Sequence, residues 1–270
     1  MGTLDGQHAV ITGGGSGIGL GAARALVADG AHVTLVGRTE AKLDAACGEL
    51  GDAATSAVAD VGDEAEMEAA LAQANARLPI TIAIANAGVG TAAPFLATSV
   101  ADWERVFTTN LTGAFVTFKL AGQHLVANGG GVMCAVSSIA GSKTHRFMTA
   151  YNASKAGLEM LVRSAADELG SLGVRVNAIA PGLVETDISG GLRSSDAVAE
   201  DYRINMPLGR QGTVDDTGSA IRFLCGPESR WITGVVLPVD GGHHLRRGPN
   251  IDPLLAAVVA DLPPVSPQGD

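Results

Sequence analysis

The sequence has few cysteines, no surplus of positive charge and no long apolar run, and each shortage removes a class of function. Only Cys47, Cys134 and Cys225 occur in 270 residues. They are odd in number, far apart and without metal-ligand spacing, so neither a disulfide framework nor a metal site is expected. Each stands in an apolar neighbourhood, where cysteine serves as a small buried hydrophobe, and a reducing, cytoplasmic compartment is the expectation. Lysine and arginine number 18 against 28 acids, a net charge of −10 with the acids scattered. Nucleic acid and anionic membrane both select a basic face, so neither is expected as a partner. No apolar run reaches the ~18 residues of a membrane-spanning helix. Met1-Gly-Thr-Leu-Asp-Gly6 leads straight into a short apolar segment, unlike a signal peptide. Gly6 also stands where a myristoylation signal needs Ser or Thr.

What is present is apolar and regularly punctuated. With 46% hydrophobic and 17% charged residues, the chain can bury a substantial core. No composition break divides it. One domain is expected over 1–248, then an extension at 249–270 that is partly apolar (253–260) and proline-rich after that. Strand-like runs at 8–12, 32–36, 55–58, 81–85, 132–136, 175–179 and 235–239 alternate with helical patterns at 17–29, 40–50, 64–77, 101–128, 150–172 and 214–224. Most of the strand runs are continuous Val, Ile and Ala, as strands covered on both faces require. The alternation predicts an α/β fold, a Rossmann-like, doubly wound parallel sheet of about seven strands with helices on both faces. The polar stretch 183–212, with Gly190-Gly191 and Ser194-Ser195, is long for a connection and reads as a substrate lid. The apolar part of the extension is expected to dock on a protein surface, a neighbouring subunit being one candidate.

Thr12-Gly-Gly-Gly-Ser-Gly-Ile-Gly19 follows the first strand and opens the first helix. Gly13, Gly17 and Gly19 let backbone approach a pyrophosphate seated on the helix's N-terminal amides, with Gly15, Ser16 and Ile18 completing the loop. The more common Gly-x-Gly-x-x-Gly pattern, ending in Ala, fits only Gly17-Ile-Gly19-Leu-Gly-Ala22, which lies too far into the helix. A lone glycine loop also occurs as a turn without a ligand; its place after a strand, with further motifs behind it, favours a dinucleotide. The second strand ends in Gly37-Arg38, with no acid to take ribose hydroxyls and an arginine suited to an extra phosphate. NADP is therefore the expected cofactor and NAD the alternative, while the competing reading of Arg38 is a solvated loop residue. Asn86, Ala87 and Gly88 close the fourth strand, where strand ends line a ligand crevice. Asn110 falls inside a helical run where asparagine fits poorly, a conflict tolerable at a functional site.

The chemistry is proposed by Ser138 and Tyr151-Asn-Ala-Ser-Lys155. Residues four apart share a helix face, and a phenol normally holds its proton to about pH 10. A neighbouring ammonium favours the phenolate and makes an acid/base group usable near neutrality. Ser138, after a buried strand, adds a hydroxyl for a substrate oxygen. His145, between them, is a candidate base, but a loop histidine of this kind is more often solvated, and that is the expectation. The other histidines show no triad or metal spacing.

Taken together, these residues resemble the short-chain dehydrogenase/reductase family, from about Gln7 to Gly242. Its motifs appear in order: the glycine loop, Asp60-Val61, Asn86-Ala-Gly88, Asn110, Ser138, Tyr151-x-x-x-Lys155, Pro181-Gly182 and Asp240-Gly-Gly242. The resemblance implies Tyr151 as acid/base, Lys155 lowering its pKa and holding the nicotinamide ribose, Ser138 binding the substrate oxygen, and Asn110 supporting a proton path. It implies Asp60 and Val61 near the adenine, Asn86 in the cofactor pocket, and Pro181, Gly182, Val184 and Thr186 around the nicotinamide. Two departures are visible: Ala85 precedes Asn86 where members often carry a second asparagine, and Ser16 replaces the basic loop residue frequent in NADP users. The expected reaction is the interconversion of a secondary alcohol and a ketone. The windows 90–95, 139–149 and 183–208, with Leu183, Ile188, Leu192, Tyr202, Ile204 and Met206, suggest an apolar carbonyl or alcohol substrate. A homotetramer is implied, paired through the helices at 101–128 and 150–172. A catalytically silent dinucleotide-binding regulator or scaffold is the alternative; its signature, damage to Ser138, Tyr151 or Lys155, is absent. An epimerase or dehydratase would need a larger C-terminal half.

Overall fold

Runs rich in Val, Ile and Ala form strands here because β-branched and small side chains pack well on a pleated surface covered from both sides. The computed structural model describes residues 2–186, 195–246, 251 and 254. Its strands are β1 (His8–Thr12), β2 (His32–Gly37), β3 (Ala54–Val58), β4 (Ile82–Ala85), β5 (Gly131–Val136), β6 (Val174–Pro181) and β7 (Val236–Val239). The helices are α1 (Gly17–Ala28), α2 (Glu40–Leu50), α3 (Glu64–Arg77), α4 (Val100–Phe107), α5 (Gly113–Ala127), α6 (Thr149–Leu169), α7 (Asp196–Asn205) and α8 (Val214–Cys225). The strands pair in the order β3-β2-β1-β4-β5-β6-β7, all parallel. This is the expected Rossmann-like doubly wound sheet. Chain direction along the sheet reverses between β1 and β4, which opens a crevice outside their carboxyl ends.

Side-chain alternation along β1 divides the core. Ala9 and Ile11 face α1, α2 and α8, while Val10 faces α3, α5 and α6. Leu26 and Leu71 anchor the two layers and are fully buried, each worth roughly 1.5–3 kcal/mol. Helices α1 and α8 cross backbone to backbone: a Cβ on Gly218 would lie 2.5 Å from the Gly21 carbonyl oxygen. That contact seats the glycine-loop helix against the sheet.

Two sequence expectations change. The helix expected over 101–128 is interrupted by a π turn at Thr108–Thr112, between α4 and α5. The stretch read as a lid, to which no helix was assigned, contains α7, whose Val198 and Tyr202 are buried at helical spacing. At its described residues the extension lies against its own chain. Ile251 is buried and Leu254 packs beside it, against Met148, Leu183, Val198, Tyr202 and Met206 of the same chain. Ile188, Gly190, Gly191, Leu192 and Ser194 lie outside the described residues, as does the rest of the tail. No described helix is long and apolar enough to cross a membrane.

Candidate active site

A cavity of about 810 Å³ opens at the crevice. Strand ends β1, β4, β5 and β6 bring to it Gly13, Asn86, Val136 and Pro181, and the loops that follow supply the rest. Of the sequence-predicted residues, Gly13, Ser16, Gly17 and Ile18 line one side, and Asn86, Ala87 and Gly88 the floor. Ser138, Tyr151 and Lys155 line the wall from β5 and α6, and Pro181, Gly182, Val184 and Thr186 the end of β6. Gly90, Thr91 and Ala92 also line it, whereas Phe95, from the same window, is 72% exposed.

The glycine loop is fastened from below. Asn86 Nδ2 donates to the carbonyls of Thr12 (2.9 Å) and Gly13 (3.1 Å), and Thr12 Oγ1 accepts from the Asn86 amide at 3.0 Å. A Cβ on Gly19 would fall 2.4 Å from the Gly13 oxygen, so Gly19 serves this packing rather than the cavity wall. Gly13 and Gly17 have φ of +63° and +53°, the left-handed region that glycine enters freely. The first turn of α1 carries no acidic residue, and Ser16 makes no side-chain cap. Its terminal amides are therefore left for an anion.

Asn110 does not reach the cavity. It sits in the π turn, 1% exposed. Its Oδ1 accepts from the Val89 amide (2.8 Å), and its Nδ2 donates to the Val89 carbonyl (3.0 Å) and to Ser154 Oγ (3.1 Å). The asparagine thus ties the loop after β4 to the turn of α6 that carries Lys155. Gly15, Gly19, Arg38, Asp60 and Val61 are likewise absent from the wall. Arg38 Nη1 lies 3.4 Å from Asp60 Oδ2 at the tip of β2, with their side chains 66% and 42% exposed. Val61 packs against Gly113 in the core.

Ser138 Oγ accepts from the Ala140 amide (3.1 Å) and hydrogen-bonds the Tyr151 hydroxyl. Burial raises the Tyr151 pKa, opposed by that bond. Lys155 Nζ donates to the Val136 carbonyl at 2.8 Å and lies 5.7 Å from the Tyr151 ring centre. Burial lowers its pKa to about 8. In the chain alone, burial works against the charged form of both groups, and Lys155 is not among the groups that shift Tyr151. Beneath this pair, Ser137 Oγ donates to Glu159 Oε1 (3.2 Å), a buried carboxylate one turn beyond Lys155 that sequence reasoning missed.

His145 is also corrected. It is 5% exposed and lines the cavity, because the segment before α6 folds inward and meets His243 and the cluster around Tyr202. Burial lowers its pKa. Tyr202 and Leu183 line the cavity as expected, but Met206 lies behind the wall and Ile204 is 49% exposed.

A family sequence model described as enoyl-(acyl carrier protein) reductase matches residues 13–244. The chain is 40% identical over 243 residues to galactitol 2-dehydrogenase (L-tagatose-forming) of Cereibacter sphaeroides, spanning 89% of this chain and 96% of that protein. A solved short-chain type dehydrogenase/reductase from Mycobacterium ulcerans matches at TM-score 0.92 and 36% identity, over 96% of this chain and 97% of that one. A gluconate 5-dehydrogenase from Burkholderia cenocepacia J2315, solved with NADP and tartrate, matches at TM-score 0.87 and 33% identity, over 90% and 97%. A likeness of this strength running almost end to end leaves one conclusion: the chain belongs to the short-chain dehydrogenase/reductase family.

Proposed function

We propose that the chain interconverts a secondary alcohol and a ketone using a nicotinamide dinucleotide, NADP(H) in preference to NAD(H). The observation that carries the reading is the convergence of Ser138, Tyr151 and Lys155 on the same cavity as the glycine loop. A dinucleotide fits this cradle: Gly13 and Gly17 line it without side chains, a Cβ on Gly17 would come within 3.3 Å of Thr186, and the acid-free first turn of α1 suits a pyrophosphate. When bound, the dinucleotide gives or takes the hydride. Gly13, Ser16, Gly17 and Ile18 hold its phosphates. Asn86, Ala87, Gly88, Pro181, Gly182, Val184 and Thr186 frame its nicotinamide end. Arg38 takes the extra phosphate, a role compatible with its exposure and its single weak partner, Asp60.

The protein's own groups manage the proton. At neutral pH the raised pKa of Tyr151 keeps its hydroxyl protonated, so it stands as an acid for reduction. As charge grows on the substrate oxygen, Ser138 and Tyr151 meet it with hydrogen bonds and Tyr151 Oη releases its proton to it. In oxidation the phenolate form of Tyr151 receives the alcohol proton, and positive charge on Lys155 favours that form. Asn110 positions the Gly88–Val89 backbone beside Lys155. Phe115 and Met160, 49% and 58% exposed on α5 and α6, support pairing of these helices in a homotetramer.

The test is turnover of an alcohol and ketone panel with NADPH and NADH. Tyr151→Phe is expected to lower kcat by roughly 10²–10⁴-fold while cofactor affinity stays within a few-fold. A variant that keeps most of its turnover would sink the assignment. Tight NADPH binding by the unaltered chain without turnover on any compound would favour the silent regulator instead.

A further inference from the structure

The cavity has a second set of polar groups that the hydride chemistry does not use. His145 and Tyr202 line it, 5% and 3% exposed, and both rings pack against buried His243, at 6.4 Å and 5.5 Å between ring centres. They come from different elements, the loop before α6 and helix α7. His243 is set there by the Asp240-Gly-Gly242 turn. Asp240 Oδ1 accepts from the Gly242 amide (3.0 Å), its Oδ2 accepts from the His244 amide (2.6 Å), and its carbonyl accepts from the His243 amide (3.1 Å). A motif with no assignment so far thus supports both walls of the subsite.

His145 is held in one orientation. Its carbonyl accepts from the Met148 amide (3.1 Å) and from Asn152 Nδ2 (2.9 Å). Phe147, two residues on, is the one non-glycine residue with positive φ (67°) among those described, and its carbonyl accepts from the Ala93 amide at 2.8 Å. A conformation of that kind persists only where the surroundings impose it. The ring makes one hydrogen bond, Nδ1 to the Lys143 carbonyl at 3.1 Å. A carbonyl only accepts, so Nδ1 carries the proton. Burial disfavours a second proton, and Nε2 is left as a bare acceptor with no partner among the described residues. The Tyr202 hydroxyl also has no hydrogen-bond partner among them, and burial holds it protonated.

An acceptor nitrogen and a phenol lining one cavity, both rings packed on His243, ask for a group that both donates and accepts. A hydroxyl does this; a ketone or carboxylate oxygen would face Nε2 lone pair to lone pair. We propose that His145 and Tyr202 form a subsite for a second hydroxyl of the substrate, so that the cavity takes a neutral diol or hydroxyketone. The apolar substrate suggested by the lid sequence then describes only the Met148, Leu183 and Leu254 part of the wall. The assignment of the reacting end to Ser138 and Tyr151 is the reading on which this rests.

The probes are cyclohexanol, the cis isomers of 1,2-, 1,3- and 1,4-cyclohexanediol, and cis-4-hydroxycyclohexanecarboxylate. Their binding is measured by calorimetry on the chain saturated with NADPH, and on the chain alone. At least one diol should bind roughly tenfold tighter than cyclohexanol, the worth of one or two well-placed hydrogen bonds. Tyr202→Phe and His145→Phe should each bring that ratio close to one, with melting temperature as the check on folding. Tyr202→Phe decides if the histidine variant does not fold. Equal affinity for all neutral probes, a diol preference that survives Tyr202→Phe, or tightest binding of the carboxylate would overturn the proposal. A diol preference lost in the variants, without cofactor turnover on any alcohol, would leave the subsite standing and remove the redox reading instead.

Discussion

Replacing Lys155 with methionine should make the chain more tolerant of neutral pH and less dependent on alkali. The ammonium is 4% exposed, and burial takes its pKa from an ordinary 10.5 to about 8. At about 1.4 kcal/mol per unit, holding that charge at pH 7 costs the folded chain on the order of 3 kcal/mol. Methionine removes the charge but leaves the Val136 carbonyl without its donor, which costs about 1–3 kcal/mol in return. The net effect at pH 7 is therefore between nothing and a gain of about 2 kcal/mol. The pH dependence is sharper than the absolute value. Between pH 8 and 10.5 the unfolded lysine still binds a proton that the folded one has lost, so wild-type stability rises with pH across that window. Below pH 8 the cost is present in full. The difference between wild type and Lys155→Met should move by roughly 2–3 kcal/mol in favour of wild type from pH 7 to pH 10. Every other titrating group is common to both chains and cancels. Urea unfolding at the two pH values, at one fixed protomer concentration, reads it directly. A difference that stays constant within about 0.5 kcal/mol would show that Lys155 is not held at the cost derived from its burial.

Asn110→Ala strips three hydrogen bonds and orphans both backbone groups of Val89, so a loss of about 2 kcal/mol and a melting temperature lower by roughly 4–8 °C are expected. A melting point unchanged within a degree would contradict the clamp. Arg38→Asp should move the ratio of kcat/KM for NADPH over NADH toward NADH by about tenfold or more, the worth of a charged hydrogen bond; an unaltered ratio would return Arg38 to solvent. Light scattering should give a particle of four 27.2 kDa chains, and a monomer would remove the proposed pairing of α5 with α6.

The sheet was legible because its signal is local. Continuous apolar runs bounded by glycine and polar residues put every strand within two residues of its observed ends, and α2 and α3 match at both ends. The site motifs were legible for the same reason: each lies at a strand end or a helix start, which neighbouring residues define. What escaped depends on distant partners or on hydrogen-bond register. The burial of His145 is decided by His243, from the far end of the sheet, and no pattern near His145 announces it. Helix α7 hid in a polar stretch, although Val198, Tyr202 and Asn205 at positions i, i+4 and i+7 were a signal that could have exposed it. The Tyr151–Lys155 spacing was read correctly as one face, but spacing does not reveal that the ammonium is engaged by Val136 and stripped of water. The poor fit of asparagine at position 110 was visible; the change of helical register that accommodates it was not.

That change of register has a consequence of its own. A π turn spends one more residue on a loop of backbone than an α turn does, so the run from Val100 to Ala127 carries a supernumerary residue. Its two flanks keep their own apolar faces on the core, Val106 before the turn and Leu120, Ala121 and Leu125 after it. Deleting one residue within 108–112 would close the ladder into an unbroken α-helix and leave both flanks in phase. It would also take away the slack that lets an asparagine sit inside a packed helix with its amide turned to a neighbouring loop. In this stretch the more regular helix is the one that no longer holds Val89 beside Lys155.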